Sequence, residues 1–225
     1  MLNLTLPDAD VVKIFRALER NRTVLTLLLH YITFSNRNIQ ALGRLVANNR
    51  ALMLVTVDLR YSDPEVDRMA QCRRICQELR EALRRNCFMT SVNLYLGSGD
   101  HSNDPLIKQY FRRNTMLINQ ASRFVFGSME KTYALAFETL KHNASMALSL
   151  KVHFDVPQES AVKMVAEARR RLAYDYFVLV GVVKSKIVCH RNRKAKKRKT
   201  LFDNMGRDLQ ARIFSYLSLT DVVDV

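Results

Sequence analysis

Cys72 and Cys76 stand four residues apart on what reads as one face of a helix, a spacing at which two sulfurs can share a metal ion. Zinc asks for four ligands, and no second pair at zinc spacing lies nearby, so these thiols read as packed or surface cysteines. Cys189-His190 is a second pair, again two ligands short. Gly97-Ser98-Gly99-Asp100-His101 follows a predicted strand, where glycines would let backbone amides approach a phosphate. It lacks a third glycine and the Gly-Lys-Ser/Thr ending of a phosphate loop, and reads as a turn. Asp100, His101 and Cys87 can be drawn as a nucleophilic triad, but nothing in the spacing makes them converge. The expectation is a non-enzymatic chain, with no catalytic residue, no metal and no cofactor.

Charge is the next chemical feature. The formal net charge is +15, and RNRKAKKRK from 191 to 199 supplies +7 of it through Arg191, Arg193, Lys194, Lys196, Lys197, Arg198 and Lys199. Such a run repels itself and predicts an extended, solvated linker. It is also compatible with a nuclear-import signal, or with contact to nucleic acid or an anionic membrane. No aromatic residue is interleaved as a base-stacking platform, so any nucleic-acid contact there is a weak electrostatic one.

The elements that position these groups follow from a repeated pattern. Asn21-x-x-Val24, Asn49-x-x-Leu52, Asn86-x-x-Met89 and Asn114-x-x-Leu117 recur at intervals of 28, 37 and 28 residues. From the third residue after each Asn, apolar positions alternate as in a strand: Val24, Leu27 and Leu29; Leu52, Val55 and Val57; Met89, Val92 and Leu94. Before each Asn the spacing is that of an amphipathic helix: Ile14, Ala17 and Leu18; Leu42, Leu45 and Val46; Leu79, Ala82 and Leu83; Ile107, Tyr110 and Phe111. Each Asn thus marks the end of a helix, a place suited to a residue that tolerates the left-handed conformation. Basic residues before Asn21, Asn86 and Asn114 suit a helix C-terminal dipole. One strand and one helix cannot bury both apolar faces alone, so copies are expected to stack in parallel around a shared core.

An LxxLxL strand followed by a helix, repeating near 28 residues, resembles the leucine-rich repeats of the ribonuclease-inhibitor type over about residues 1 to 125. The resemblance implies an α/β fold: a short leucine-rich-repeat solenoid of parallel strands and outer helices over 1–126, followed by a mainly helical C-terminal region. The chain departs from that family where an Asn or Cys should follow the LxL, since Ile32, Arg60 and Gly97 occupy those positions. The longer interval carries an insertion around Arg60 to Met69. The last copy, Leu117-x-x-Gln120-x-Ser122, has polar residues where apolar ones belong and reads as a degenerate closing repeat.

After Gly127 the pattern stops. Residues 127–190 read as a helical region that packs on or closes the repeats, with one helix from about Met129 to Lys151 and a second opening near Asp155 and Pro157. Apolar positions from Ala161 to Ile187 continue at helical spacing, although Val178 to Val183 reads equally as a strand. Residues 191–204 are the basic linker. No run approaches the ~20 apolar residues of a membrane-spanning helix, and no signal segment opens the chain. With four cysteines and no disulfide scaffold, an intracellular location, cytoplasmic or nuclear, is expected. The start on Leu2-x-Leu4-x-Leu6 and the stop at Val223-Asp224-Val225 suggest a piece of a longer protein.

Residues 205–225 carry Ile213, Phe214, Ser215, Leu217 and Asp221-Val222, a pattern that resembles the first helix of an F-box, truncated after that helix. Gln210 replaces the Pro usual in that family. The resemblance implies docking to a ubiquitin ligase component. Repeats and tail together resemble leucine-rich-repeat proteins of ticks and other arthropods, which implies relatives and no activity.

The functional expectation is a protein–protein interaction module. Strand residues opposite the core positions would form a concave floor: Thr26, Leu28 and His30; Leu54, Thr56 and Asp58; Ser91, Asn93 and Tyr95. Leu28, Leu54 and Tyr95 are the anchors, with His30, Thr56, Asp58 and Asn93 beside them, for a protein partner of unspecified identity. Alternatives are a ubiquitin-ligase adaptor acting through residues 208 to 225, and a nuclear nucleic-acid binder acting through 191–199.

Overall fold

The computed structural model describes residues 7–30, 32, 34–59, 67–95, 104–141, 146–181 and 206–221. Contacts divide the chain into two compact units, Met1–Ile118 with Asn143–Ser145, and Asn119–His142 with Met146–Val225.

Unit 1 alternates helix and strand: α1 (Asp8–Arg20), β1 (Thr26–Leu29), α2 (Asn36–Asn48), β2 (Leu54–Asp58), α3 (Arg68–Arg85), β3 (Ser91–Tyr95) and the first turns of α4 (Pro105–Val125). The strands pair in parallel in the order β1-β2-β3, with Leu27, Val55 and Val92 in one row and Leu29, Val57 and Leu94 in the next. These rows face the core, where they meet Phe15, Leu42, Leu45, Leu79 and Leu83. Burying each such side chain contributes about 1.5–3 kcal/mol. Helix starts are set by polar caps. Ser35 accepts from the Asn38 amide, Asp67 from Met69 and Ala70, and Asp104 from Leu106 and Ile107. α2 lies against both α1 and α3. Gly43 is the point of closest approach, since a Cβ there would stand 2.9 Å from Glu78 Oε2.

The expected leucine-rich-repeat solenoid does not form. Helix makes up 68% of the described residues, and the only strands among them are three short parallel ones in an open sheet. The fourth copy shows the physical reason. Gln120 and Ser122 break the strand alternation, while Ile107, Asn114, Ile118, Ala121 and Val125 keep three- and four-residue spacing, so α4 runs straight through Asn114. In α1 the buried stripe is Val11, Val12 and Phe15, and the expected Ile14 is 43% exposed.

Unit 2 is helical. The single helix expected from Met129 to Lys151 is instead α5 (Lys131–Leu140) and α6 (Met146–Phe154). Gly127, at φ 113°, turns the chain after α4, and the Arg171 guanidinium donates to the Phe124 and Val125 carbonyls that end that helix. Asp155 adopts φ 53° and caps nothing; Pro157 stands at the N-cap of α7 (Gln158–Tyr174). The stripe expected to run on to Ile187 breaks at Asp175. Val178 then lies in the short α8 (Tyr176–Leu179), and the strand alternative is removed for residues 178–181, 182 and 183 lying outside the described residues. α9 (Arg207–Phe214) and a 3-10 turn (Leu219–Asp221) close the unit. Phe214 stacks on Tyr176 at 5.7 Å and meets Phe177 edge-on at 5.1 Å, while the turn is held by Glu138 accepting from the Leu219 amide.

Candidate binding face

The pairing register arranges the non-core strand residues as a grid of three rows. Thr26, Leu54 and Ser91 form the first row, Leu28, Thr56 and Asn93 the second, and Asp58 with Tyr95 the third. His30, just beyond β1, joins the third row through Nδ1, 3.2 Å from Asp58 Oδ2. The seven residues expected at a binding site are therefore brought together on one side of one sheet. Only five reach the surface. Leu28 is 59% exposed and Tyr95 39%, His30 is exposed, and Leu54 and Asn93 are half-buried. Thr56 and Asp58 on the middle strand are buried, at 6% and 1%. Asp58 meets this side of the sheet through its contact with His30.

What fixes this grid is a chain of asparagines. Asn49 accepts from the Ala51 and Leu52 amides and donates through Nδ2 to the carbonyls of Leu18 and Asn21. Asn86 repeats the pattern one step on, accepting from Phe88 and Met89 and donating to Val46 and Asn49. Asn21 accepts from Thr23 and Val24. The Asn49 and Asn86 side chains thus pair backbone groups of their own turn with carbonyls at the end of the previous helix, which would otherwise be buried unsatisfied, whereas Asn21 only accepts within its own turn. The left-handed conformation expected at these positions is absent: φ is −68°, −72° and −86° at Asn21, Asn49 and Asn86, with extended ψ. At the fourth position the work is split. Asn114, inside α4, donates to the Asn86 and Met89 carbonyls, while Arg113 donates to Leu83 and Asn86 at 2.8 and 2.7 Å. The Asn spacing signalled these bonds in the sequence; the part played by Arg113 had no signal there.

The ladder also sets the strand starts. Thr26, Leu54 and Ser91 each follow their asparagine at the same offset, whereas α2 has 13 residues and α3 has 18. Ile32, at the family's expected Asn or Cys position, packs partly buried against the core; Arg60 and Gly97 lie outside the described residues.

The thiol pair does form on α3. Cys72 and Cys76 are buried and free, and Cys76 hydrogen-bonds Cys72. That bond draws the Cys72 thiol down to about 7 against the opposing effect of burial, and the same bond, followed by burial, pushes Cys76 up. One turn further, Arg80 pairs with Asp104, Nε lying 2.6 Å from Oδ2. Burial raises the Asp104 carboxyl, but Arg80 and the Ile107 and Leu106 amides outweigh it and hold the group below its usual range. Among the described residues no group of three or more His, Cys, Asp or Glu side chains is placed to hold a metal ion. Unit 2 carries a pocket of about 420 Å³ lined by Glu138, Lys141, Arg169, Leu172, Tyr176 and Phe214, among others.

The basic run (Arg191, Arg193, Lys194, Lys196, Lys197, Arg198, Lys199), Cys189-His190 and Gly97 to His101 lie outside the described residues. No helix among the described residues is long and apolar enough to cross a membrane. Comparison with protein-family models, curated proteins and solved structures finds no match, so the likenesses to leucine-rich repeats and to an F-box rest on the quoted residues alone.

Proposed function

We propose that the chain is a non-catalytic protein-binding module and that unit 1 engages its partner through Leu28, His30, Leu54, Asn93 and Tyr95. One observation carries the reading: Leu28 and Tyr95 expose apolar and aromatic surface on opposite edge strands of a sheet whose strand starts are fixed by the asparagine ladder. Anchors held on a rigid element lose little freedom on binding, which is how a small patch reaches useful affinity. With strands about 4.8 Å apart, the two anchors stand roughly 12 Å from each other along the diagonal, with β2 between them. Three free thiols, Cys72, Cys76 and Cys87, fit a reducing, intracellular compartment. The test is affinity capture with the full chain and with Leu28→Asp/Tyr95→Asp, each checked for an unchanged circular-dichroism melt. The expected outcome is loss of captured partners from the double variant; an unchanged set overturns the reading.

A second reading, a ubiquitin-ligase adaptor, is favoured by the exposure of Leu209, Ile213, Tyr216 and Leu217 along and just after α9. Phe214 is a poor probe of it, because that ring is buried against Tyr176 and Phe177 and Phe214→Asp would break unit 2 itself. Ile213→Asp/Tyr216→Asp is the discriminating variant. It should abolish co-purification with the ligase's linker protein if this reading holds, and change nothing if it fails.

A further inference from the structure

We propose that one rim of unit 1, the rim on which α1, α2 and α3 end and the ladder runs, binds the phosphate backbone of a single-stranded nucleic acid, independently of the sheet face. The ladder joins Asn21 to Asn49, Asn49 to Asn86 and Asn86 to Asn114 through hydrogen bonds of 3.0 Å each. Residues flanking these asparagines are therefore brought side by side, and they are arginines: Arg20 and Arg22, Arg50, Arg84 and Arg85, and Arg112, all exposed. Glu19 is the carboxylate nearest in sequence, and it accepts from Asn48.

Helix dipoles account for part of this pattern, since a cation near each helix C-terminus is stabilising. They do not account for all of it. α3 carries two arginines at its end, Arg22 and Arg50 come after their helices, and Arg112 sits mid-helix in α4. Arg20, Arg84, Arg85 and Arg112 make no side-chain hydrogen bond or ion pair among the described residues. The opposite rim, where helices start, is mixed: Asp8, Asp10, Asp67 and Asp104 stand there with Arg37 and Arg68.

Charge density favours nucleic acid as the occupant. Three ladder steps of roughly 4.8 Å span about 15 Å at the strand side, over which a single strand presents about four phosphates. Four rim guanidinium groups, Arg20, Arg84, Arg85 and Arg112, match those phosphates in number, with Arg22 and Arg50 beside them, and the planar fork of Arg suits phosphate better than Lys would. The Tyr110 ring already lies under the Arg113 guanidinium, 5.0 Å from it, so the contact proposed is with the backbone and is indifferent to sequence.

The experiment measures binding of a fluorescent single-stranded DNA of mixed sequence to the full chain by anisotropy, across a salt series. Three variants are compared. The rim variant is Arg20→Glu/Arg84→Glu/Arg85→Glu/Arg112→Glu. A control with the same net charge is Arg16→Glu/Arg37→Glu/Arg44→Glu/Arg73→Glu, on exposed cations away from the rim. The third replaces the seven basic residues of 191–199 with Gln, which separates the rim from that run. The rim variant should bind about tenfold or more weakly at low salt, with a log–log salt slope shallower by up to about 3. The control should bind at least severalfold more tightly than the rim variant, and the Gln variant should retain binding that rim substitution then removes. Equal losses in rim and control variants, complete loss in the Gln variant, or rim-dependent binding to anionic vesicles without binding to DNA would each overturn the proposal.

Discussion

Asn86 and Asn49 are joined by a bond of 3.0 Å from the side-chain nitrogen of the first to the backbone oxygen of the second, and both residues are almost completely buried. The bond is one of four made by the Asn86 side chain, each satisfying a backbone group with no water at hand. Asn86→Ala should therefore cost about 3 kcal/mol or more, whereas Asn21→Ala, whose bonds are acceptor-only and nearer solvent, should cost about 1 kcal/mol. Urea unfolding of the two variants checks the ranking. Equal costs would mean that the ladder does not hold the turns.

Arg113 closes the ladder with a fixed planar set of donors, Nη2 to the Leu83 and Asn86 carbonyls and Nε to Asn114 Oδ1, so the geometry matters more than the charge. Arg113→Lys keeps the charge and loses the paired geometry; it should destabilise by about 1–2 kcal/mol, close to the effect of Arg113→Met. Thermal melts of both variants test this, and a lysine variant as stable as wild type would refute it.

Cys72 should titrate near 7 in the folded protein, followed by thiolate absorbance in the ultraviolet after Cys87 and Cys189 are replaced by Ser. Removing the donor in Cys76→Ala should carry the Cys72 midpoint upward toward or past its ordinary 9.0, because burial then acts without opposition. An unmoved midpoint would assign the shift to some other group.

The Asp104 carboxyl is held below its ordinary 3.8, so the unfolded chain takes up this proton at higher pH than the folded one. The stabilisation is present at neutral pH and is lost as pH falls through the folded value. Asp104→Asn keeps a capping side chain and removes the ionisation. It should lower stability at neutral pH and flatten its fall in acid, read as urea midpoints across the carboxylate range.

Much of unit 1 could be read from spacing. The offset from each asparagine to its strand is constant, and alternation then assigns Leu27, Val55 and Val92 to the core and Leu28 and Tyr95 to the outside. What spacing did not carry was the number of strands. Leu117 begins a fourth copy in sequence, yet α4 passes through it because helical contacts persist on both sides of Asn114. Nor did it give the depth of the middle strand: Thr56 and Asp58 alternate as outward residues but are closed over by their neighbours. In unit 2 the periodicity of three and four was present without punctuation. The breaks after Leu140 and at Asp175, and the docking of Phe214 on Tyr176, depend on contacts far apart in the chain.

Every difference in length between successive copies falls on the same margin of unit 1, because the segment from each asparagine to its strand never changes. A foreign peptide inserted between β2 and α3 has a side of the molecule where extra chain is already accommodated. A single residue added between Asn49 and Leu54 has no such latitude. It would turn β2 over by one position and put Leu54 and Thr56 in the places of Val55 and Val57 beneath the helices. One edge of the unit is thus open to elaboration, and the other is a fixed ruler.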